Sequence, residues 1–204
     1  MSYEEEYHSS VHNNLLNDNK YYLFRARCSD RFYWKYLKDK VLDYGCGLGQ
    51  NIFLHKDAVG YDVSKFSLDF CKKKGINVIE KVEGEYDGVL CVHVLEHLED
   101  PTEKLREMFK ALKKDGVLVL VLPYSKNREI KNFKSDVAKH LFNWNFACID
   151  ELLTLVGFKV LVNKFNYASG YSKLYKFNFK FALGLLKVIG LFRRKKEMII
   201  VARK

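Results

Sequence analysis

The apolar positions of this chain change period several times, and each change marks an element. Residues 41–44 (VLDY) form a short apolar run between the polar Lys40 and three glycines, Gly45, Gly47 and Gly49, as expected of a buried strand entering a tight turn. Runs at 58–61, 76–79, 86–92 and 117–122 also read as strands. The last is apolar throughout, which suits the centre of a sheet covered on both faces. Between the runs the period lengthens to that of helices. Ser64 can cap a helix that carries Phe66 and Phe70 on one face and stops at Gly75. Asp100-Pro101-Thr102-Glu103 can open another, running through Leu105, Met108, Phe109 and Leu112 and ending at Gly116. The residues after Gly49 are also expected to start a helix.

From residue 40 to 122 strand and helix therefore alternate, the pattern of a parallel sheet covered by helices. Beyond it the regularity fades. Residues 123–144 read as a long loop, Ile149, Leu152, Leu153 and Val156 mark a helix ended by Gly157, and strands follow at 158–162 and 197–202. The N-terminal stretch NKYYLFRARCSDRFYWKYL predicts a helix able to fold over a site as a lid, with Arg25, Arg27 or Arg31 available to an anionic group. If 173–187 is one helix, Lys173, Lys176, Lys180 and Lys187 share a narrow stripe and nearly everything else is aromatic or aliphatic. Such a face requires cover from helices packed on the sheet, from a second copy, or from a membrane surface beside Arg193-Arg194-Lys195-Lys196.

Composition narrows the picture. A chain of 204 residues that is 48% apolar closes one sizeable core, so residues 1–204 are read as a single domain. It divides into an N-terminal helical lid (1–39), a ligand-binding core (40–123) and a second half (124–204) with a helical insertion at 171–192. The five cysteines are scattered and form no CxxC pair, which argues against a disulfide framework or a zinc knuckle and for a reducing compartment. The start, MSYEEEYHSS, is unlike a signal peptide, and no run reaches the roughly 18 apolar residues of a membrane span, so a cytoplasmic location is expected. From Lys126 onward there are 17 Lys and Arg against 5 Asp and Glu, while the preceding residues hold 18 against 20, so the net charge of +10 belongs to the C-terminal part. A surface of that sign suits phosphate, nucleic acid or an anionic membrane face, as well as plain solvation.

The glycine turn carries the chemistry. In an open parallel sheet, ligands settle beyond the carboxyl ends of the strands, and glycines there let the backbone approach the ligand and expose its N–H groups. Asp62 lies 19 residues after Asp43, close to the offset of an acid that holds ribose hydroxyls, so the ligand contains a nucleoside. A dinucleotide motif would be GxGxxG; here the glycines form GxGxG, with Gln50 at the third position. Asp43 would repel a pyrophosphate but attract the sulfonium and ammonium of S-adenosylmethionine.

The segments VLDYGCGLGQN, GYDVS, YDGVLCVHVLEHLEDP and LKKDGVLVLVLP resemble, in order and spacing, the successive motifs of class I S-adenosylmethionine-dependent methyltransferases. HLFNWNFACIDELLTLVGFKV resembles a subgroup found with glycan-assembly enzymes and quinone-pathway O-methyltransferases. The resemblance implies a Rossmann-like, doubly wound, mostly parallel seven-stranded α/β sheet with helices on both faces and an antiparallel last strand. It also implies that Asp43, Gly45, Cys46 and Gly47 line the methionine part of the cofactor, that Asp62 takes the ribose hydroxyls, that Val63 flanks the adenine, and that His93 faces the methionine end or the acceptor.

Methyl transfer from a sulfonium is an in-line displacement that needs an aligned acceptor and, for some acceptors, removal of a proton. His93, His97 and His140 are the candidate bases, with His140, near Trp144, and His97 preferred. His93, Glu96 and His97 could share a face as metal ligands, but a structural role for His97 beneath the site is preferred and no metal is expected. The expected reaction is methylation of a hydroxyl or amine on a small-molecule or glycan-type acceptor. The alternatives are methylation of RNA and a non-catalytic protein that binds S-adenosylmethionine. Peripheral membrane contact through 171–196, and a monomer or homodimer, complete the expectations.

Overall fold

In a computed structural model that describes residues 5–124, 140–167, 172–192 and 196–204, three helices, α1 (Glu5–Val11), α2 (Asn13–Asn17) and α3 (Asn19–Phe32), precede the first strand, β1 (Val41–Tyr44). There follow β2 (Val59–Tyr61), α4 (Lys65–Lys73), β3 (Val78–Ile79), β4 (Tyr86–Val92), α5 (Pro101–Ala111) and β5 (Leu112–Tyr124). The second half adds α6 (Phe146–Val156), β6 (Lys159–Asn166), α7 (Phe179–Phe192) and β7 (Lys196–Arg203). The strands make one sheet in the order β3-β2-β1-β4-β5-β7-β6. It is parallel from β3 to β5, and β7 runs antiparallel to both β5 and β6. The doubly wound architecture with an antiparallel last strand is thus present.

The alternation of side chains along the central strands builds two cores. Leu42, Val89, Cys91, Leu118 and Leu120 face α5 and α6, where Leu105, Met108, Ile149 and Leu153 are fully buried. Their neighbours Val41, Leu90, Val119 and Val121 face the other way, against Tyr33, Leu37, Ile52 and Ala58. Burial on both sides explains why residues 118–122 carry no polar position. The helices begin where capping chemistry allows. Ser64 accepts from the N–H of Ser67, Asp100 from that of Glu103 with Pro101 behind it, and Asn145 from that of Cys148.

Four expectations are corrected. No helix follows Gly49; N–H groups bond three residues back at Gly49, Ile52, His55 and Ala58, and these turns carry the chain to β2. The helix before β5 ends at Ala111 rather than Gly116, because Leu112 pairs with Tyr86 and is wholly buried in the sheet. The last parallel strand is therefore longer than its apolar stretch. The lysine-striped stretch 173–187 is two pieces, a 3-10 turn (Ser172–Lys176) and α7, divided where the Asn178 side chain accepts from the N–H of Lys180. α7 buries Ala182, Leu186 and Gly190 and leaves Phe181, Val188, Leu191 and Phe192 exposed. The expected loop at 123–144 is shortened by Tyr124, which still belongs to β5, and 125–139 lie outside the described residues.

Leu120 sits at the crossing of the sheet with α5 and α6, so Leu120→Ala should lower stability by about 2–5 kcal/mol. Phe181→Ser on the exposed face of α7 should change it by less than about 0.5 kcal/mol. Urea unfolding of the two variants checks the contrast.

Candidate functional site

The turn after β1 is held from within. Gly45 and Cys46 both donate N–H to the carbonyl of Tyr61 (2.8 and 2.9 Å), and Gly49 donates to that of Cys46 (2.9 Å). Gly47 donates to Asp62 Oδ2 at 2.8 Å. The expectation that this turn offers these N–H groups to a ligand is therefore corrected. The glycines serve the path of the backbone instead. Gly45 has φ +75°, and a Cβ there would lie 2.4 Å from Val94 Cγ2; Gly47, at φ +51°, lines the cavity and a Cβ there would meet no protein atom within 4 Å. Gly47 therefore faces open cavity rather than a neighbouring side chain.

Asp62, at the end of β2, also accepts the N–H of Ser64 at Oδ1 (2.9 Å). Each carboxylate oxygen keeps a further lone pair for a hydroxyl donor. Val63 beside it lines the cavity and is 72% exposed. Asp43 lies behind the wall, fully buried, with neither oxygen receiving a hydrogen bond of sound geometry. Burial pushes its carboxyl up to about 8, the Asn51 amide opposing and the charge of Asp62 reinforcing the shift.

A cavity of about 690 Å³ extends from this turn to the far side of β4. Gly45, Cys46, Gly47, Asp62 and Val63 line one part of it; His93, His97 and His140 line another. The N-terminal helices add His12, Tyr21, Phe24 and Arg25. The Arg25 guanidinium donates to the Tyr21 hydroxyl (3.3 Å) and, among the described residues, has no carboxylate within ion-pair distance. Burial and the charge of His8 push the neighbouring His12 down to about 4, with Arg25 adding to the shift.

At the other part, β4 is followed directly by His93, a non-glycine residue with φ +55°. Its Nε2 is 3.2 Å from Glu197 Oε2, and its Nδ1 is 3.4 Å from Glu96 Oε1. Burial alone would lower its pKa; the bonds to Glu197 and then Glu96 outweigh that and raise it to about 10. The two carboxylates therefore favour the protonated ring. Glu197, the first inward residue of β7, also accepts from the Tyr33 hydroxyl (2.8 Å) and the Asn166 amide (2.6 Å) at Oε1. Glu96 is wholly buried, and its backbone carbonyl accepts the N–H groups of Leu141 and Phe142, which brings His140 alongside. The rings of His97 and His140 have centroids 4.8 Å apart, and each Nε2 is 3.9 Å from Glu96 Oε1. Glu96, His97 and His140 present donor atoms within 4.8 Å of one another and could hold a metal ion.

The structure thus gathers His97 and His140, 43 residues apart, and seats His93 between two carboxylates at the cavity wall. Sequence reasoning missed Glu197, Tyr33 and Asn166. The one available signal was an acid opening an otherwise apolar final strand, EMIIVA.

Comparison with known proteins places this geometry. Residues 13–163 match a family model described as a methyltransferase domain. The tRNA U34 carboxymethyltransferase of Sulfurimonas denitrificans is 33% identical over 103 residues, covering 41% of this chain and 35% of that protein. The ubiquinone biosynthesis O-methyltransferase of Pelagibacter ubique is 27% identical over 153 residues, covering 66% and 59%. The chain therefore spans between about a third and three fifths of the length of these curated relatives. Among solved structures, a SAM-dependent methyltransferase from Archaeoglobus fulgidus superposes with TM-score 0.66 at 22% identity, over 96% of this chain and 99% of that one. With the family model spanning most of its length and the sheet order matching the fold, the chain belongs to the class I S-adenosylmethionine-dependent methyltransferases, with S-adenosylmethionine as its cofactor.

Proposed function

We propose that the protein transfers a methyl group from S-adenosylmethionine to a hydroxyl or amine of a small-molecule acceptor, with a glycan or its precursor favoured. One observation carries this reading: a single cavity joins the glycine turn and Asp62 to His97 and His140. A donor held at the first part would present its methyl toward the second. Asp62 would hold the ribose hydroxyls, Val63 would flank the adenine, and Gly45, Cys46 and Gly47 would line the methionine part. Arg25 is the natural partner for the methionine carboxylate, since it faces the same space without a carboxylate of its own. Asp43 would act through the wall on the cationic groups. His93, bonded to Glu197 and within ion-pair distance of Glu96, frames the acceptor end, and the acceptor's proton leaves at the His97–His140 pair. The helices of residues 1–39 would cover the bound donor.

Methylation of RNA is a second reading, favoured by the tRNA-modifying relative and by the basic C-terminal part. It requires salt-sensitive retention of transfer RNA. Incubation with methyl-labelled donor decides between them: label in a panel of hydroxyl and amine acceptors supports the favoured reading, and label in RNA alone replaces it.

The donor site generates two expectations. Asp62→Asn removes a charge-assisted acceptor and should weaken binding of the demethylated cofactor by about ten- to a hundredfold with an unchanged circular dichroism spectrum. Calorimetry measures it directly. For Asp43, whose carboxyl is held up to about 8, a cationic ligand favours the ionised form, so affinity should rise as pH increases from 6 toward 8 and binding should release a proton. Calorimetry in buffers of different ionisation enthalpy reads that proton, and Asp43→Asn should abolish the release.

A further inference from the structure

Among the described residues, the lysines and arginines that line the cavity are Arg25, Lys104 and Lys196. Arg25 is bonded to Tyr21 and is the partner proposed above for the methionine carboxylate. Lys104 is paired with Glu107 at 3.1 Å. Lys196 remains. It opens β7, stands in register with Tyr124 at the end of β5, and precedes Glu197, the residue that bonds His93. Successive residues of a strand point to opposite faces, so Glu197 meets His93 and Tyr33 on one side of the sheet while Lys196 lies on the other. Both line the cavity.

The Lys196 ammonium is held by rings rather than by an acid. It lies 3.6 Å from the centroid of Phe165 and 4.3 Å from that of Tyr124. Those two rings meet edge to face at 4.9 Å, and Phe146 of α6 packs on Phe165 at 4.9 Å, so the aromatic shelf is fixed from behind. Ring faces attract a cation without neutralising it. Among the described residues, no carboxylate stands within ion-pair distance of Lys196 and no oxygen accepts a hydrogen bond from it. The neighbouring Glu197 is already committed to His93, Tyr33 and Asn166. An ammonium has three N–H donors and no acceptor, so the cavity presents a positioned cation with donors still to fill.

We propose that Lys196 anchors an oxyanion carried by the methyl acceptor, a carboxylate or a phosphoester, with Tyr124 forming the wall beside it. Resting on the methyl-transfer reading above, this narrows the acceptor to an acidic molecule; among glycan precursors a uronate or a sugar phosphate fits and a neutral sugar does not. Sheet order puts the anchor on the acceptor's side. β4 and β5 separate β7 from β1, so at about 4.8 Å per strand Lys196 stands roughly 14 Å from the glycine turn. β4, which leads into the turn that carries His97, lies between them. An acceptor held at Lys196 therefore extends its hydroxyl or amine back toward the His97–His140 pair. A lysine acts as a point charge rather than a planar fork, so carboxylate and phosphoester satisfy it alike.

The test uses the full chain saturated with the demethylated cofactor and titrated, at constant ionic strength, with inorganic phosphate and separately with acetate. Lysine side-chain NMR signals should report saturable binding that weakens by about ten- to a hundredfold in Lys196→Gln and is retained in Lys196→Arg. Methyl transfer to a neutral sugar, its uronate and its phosphate then reads specificity. The charged members should lead in kcat/KM by about ten- to a hundredfold, chiefly through KM, and Lys196→Gln should collapse that lead. The uronate and phosphate arms tell a carboxylate acceptor from a phosphoester. Cofactor affinity and the circular dichroism spectrum of the variants should match the wild type, which separates loss of the anchor from loss of the fold. No saturable anion binding to the wild-type chain overturns the proposal, as does binding that Lys196→Gln leaves intact. Equal kcat/KM across the three acceptors, or an equal fall for all three in Lys196→Gln, also overturns it. Failure to bind the cofactor would sink the methyl-transfer reading instead, and the phosphate titration of the cofactor-free chain would still decide whether Lys196 holds an oxyanion.

Discussion

The carboxylate of Asp62 is the joint on which the site depends. One oxygen takes the N–H of Gly47 from the turn after β1, and the other takes the N–H of Ser64 at the start of α4. Two adjacent parallel strands are thereby locked at their carboxyl ends, and the crevice between them acquires a fixed shape before any ligand arrives. The same carboxylate keeps lone pairs directed into the cavity. On the proposed reading, in which Asp62 also takes the ribose hydroxyls, cofactor binding would be coupled to local order at this turn.

At the acceptor end, topology does what local sequence could not. Placing β7 antiparallel between β5 and β6 brings Glu197 beside His93, 104 residues earlier, and brings Tyr33 and Asn166 onto the same carboxylate. The segment before α6 folds back onto the turn after β4 through backbone bonds to Glu96, and this sets His140 against His97. The cavity is therefore bounded by the His93–Glu197 pair and the His97–His140 rings at one end and by the glycine turn with Asp62 at the other.

Much of this was visible in the chain itself. Wherever an element owed its existence to short-range chemistry, pattern sufficed: the buried run of β5, the Ser64 and Asp100 caps, and the offset between Asp43 and Asp62 each act within a few residues or follow from strand spacing. The misreadings occurred where tertiary contact overrode local signal. Gly116 reads as a helix stop, but burial and pairing of Leu112 begin the strand earlier. Gly49 reads as the entrance to a helix, yet residues 49–58 reach β2 through three-residue turns, with Ile52 packed into the core. The glycine turn was taken to offer its N–H groups, although a neighbouring strand and Asp62 already accept them. Glu197 and Tyr33 could not be paired from sequence, because nothing local to either residue reports a partner 164 positions away.

The central claim is that this crevice holds an adenosyl sulfonium donor. Titration calorimetry of the wild-type chain with S-adenosylhomocysteine and with a nicotinamide dinucleotide tests it most directly. Saturable heat at one site per chain with the first, and none with the second, is the predicted result; silence with the first and saturable heat with the second would contradict it.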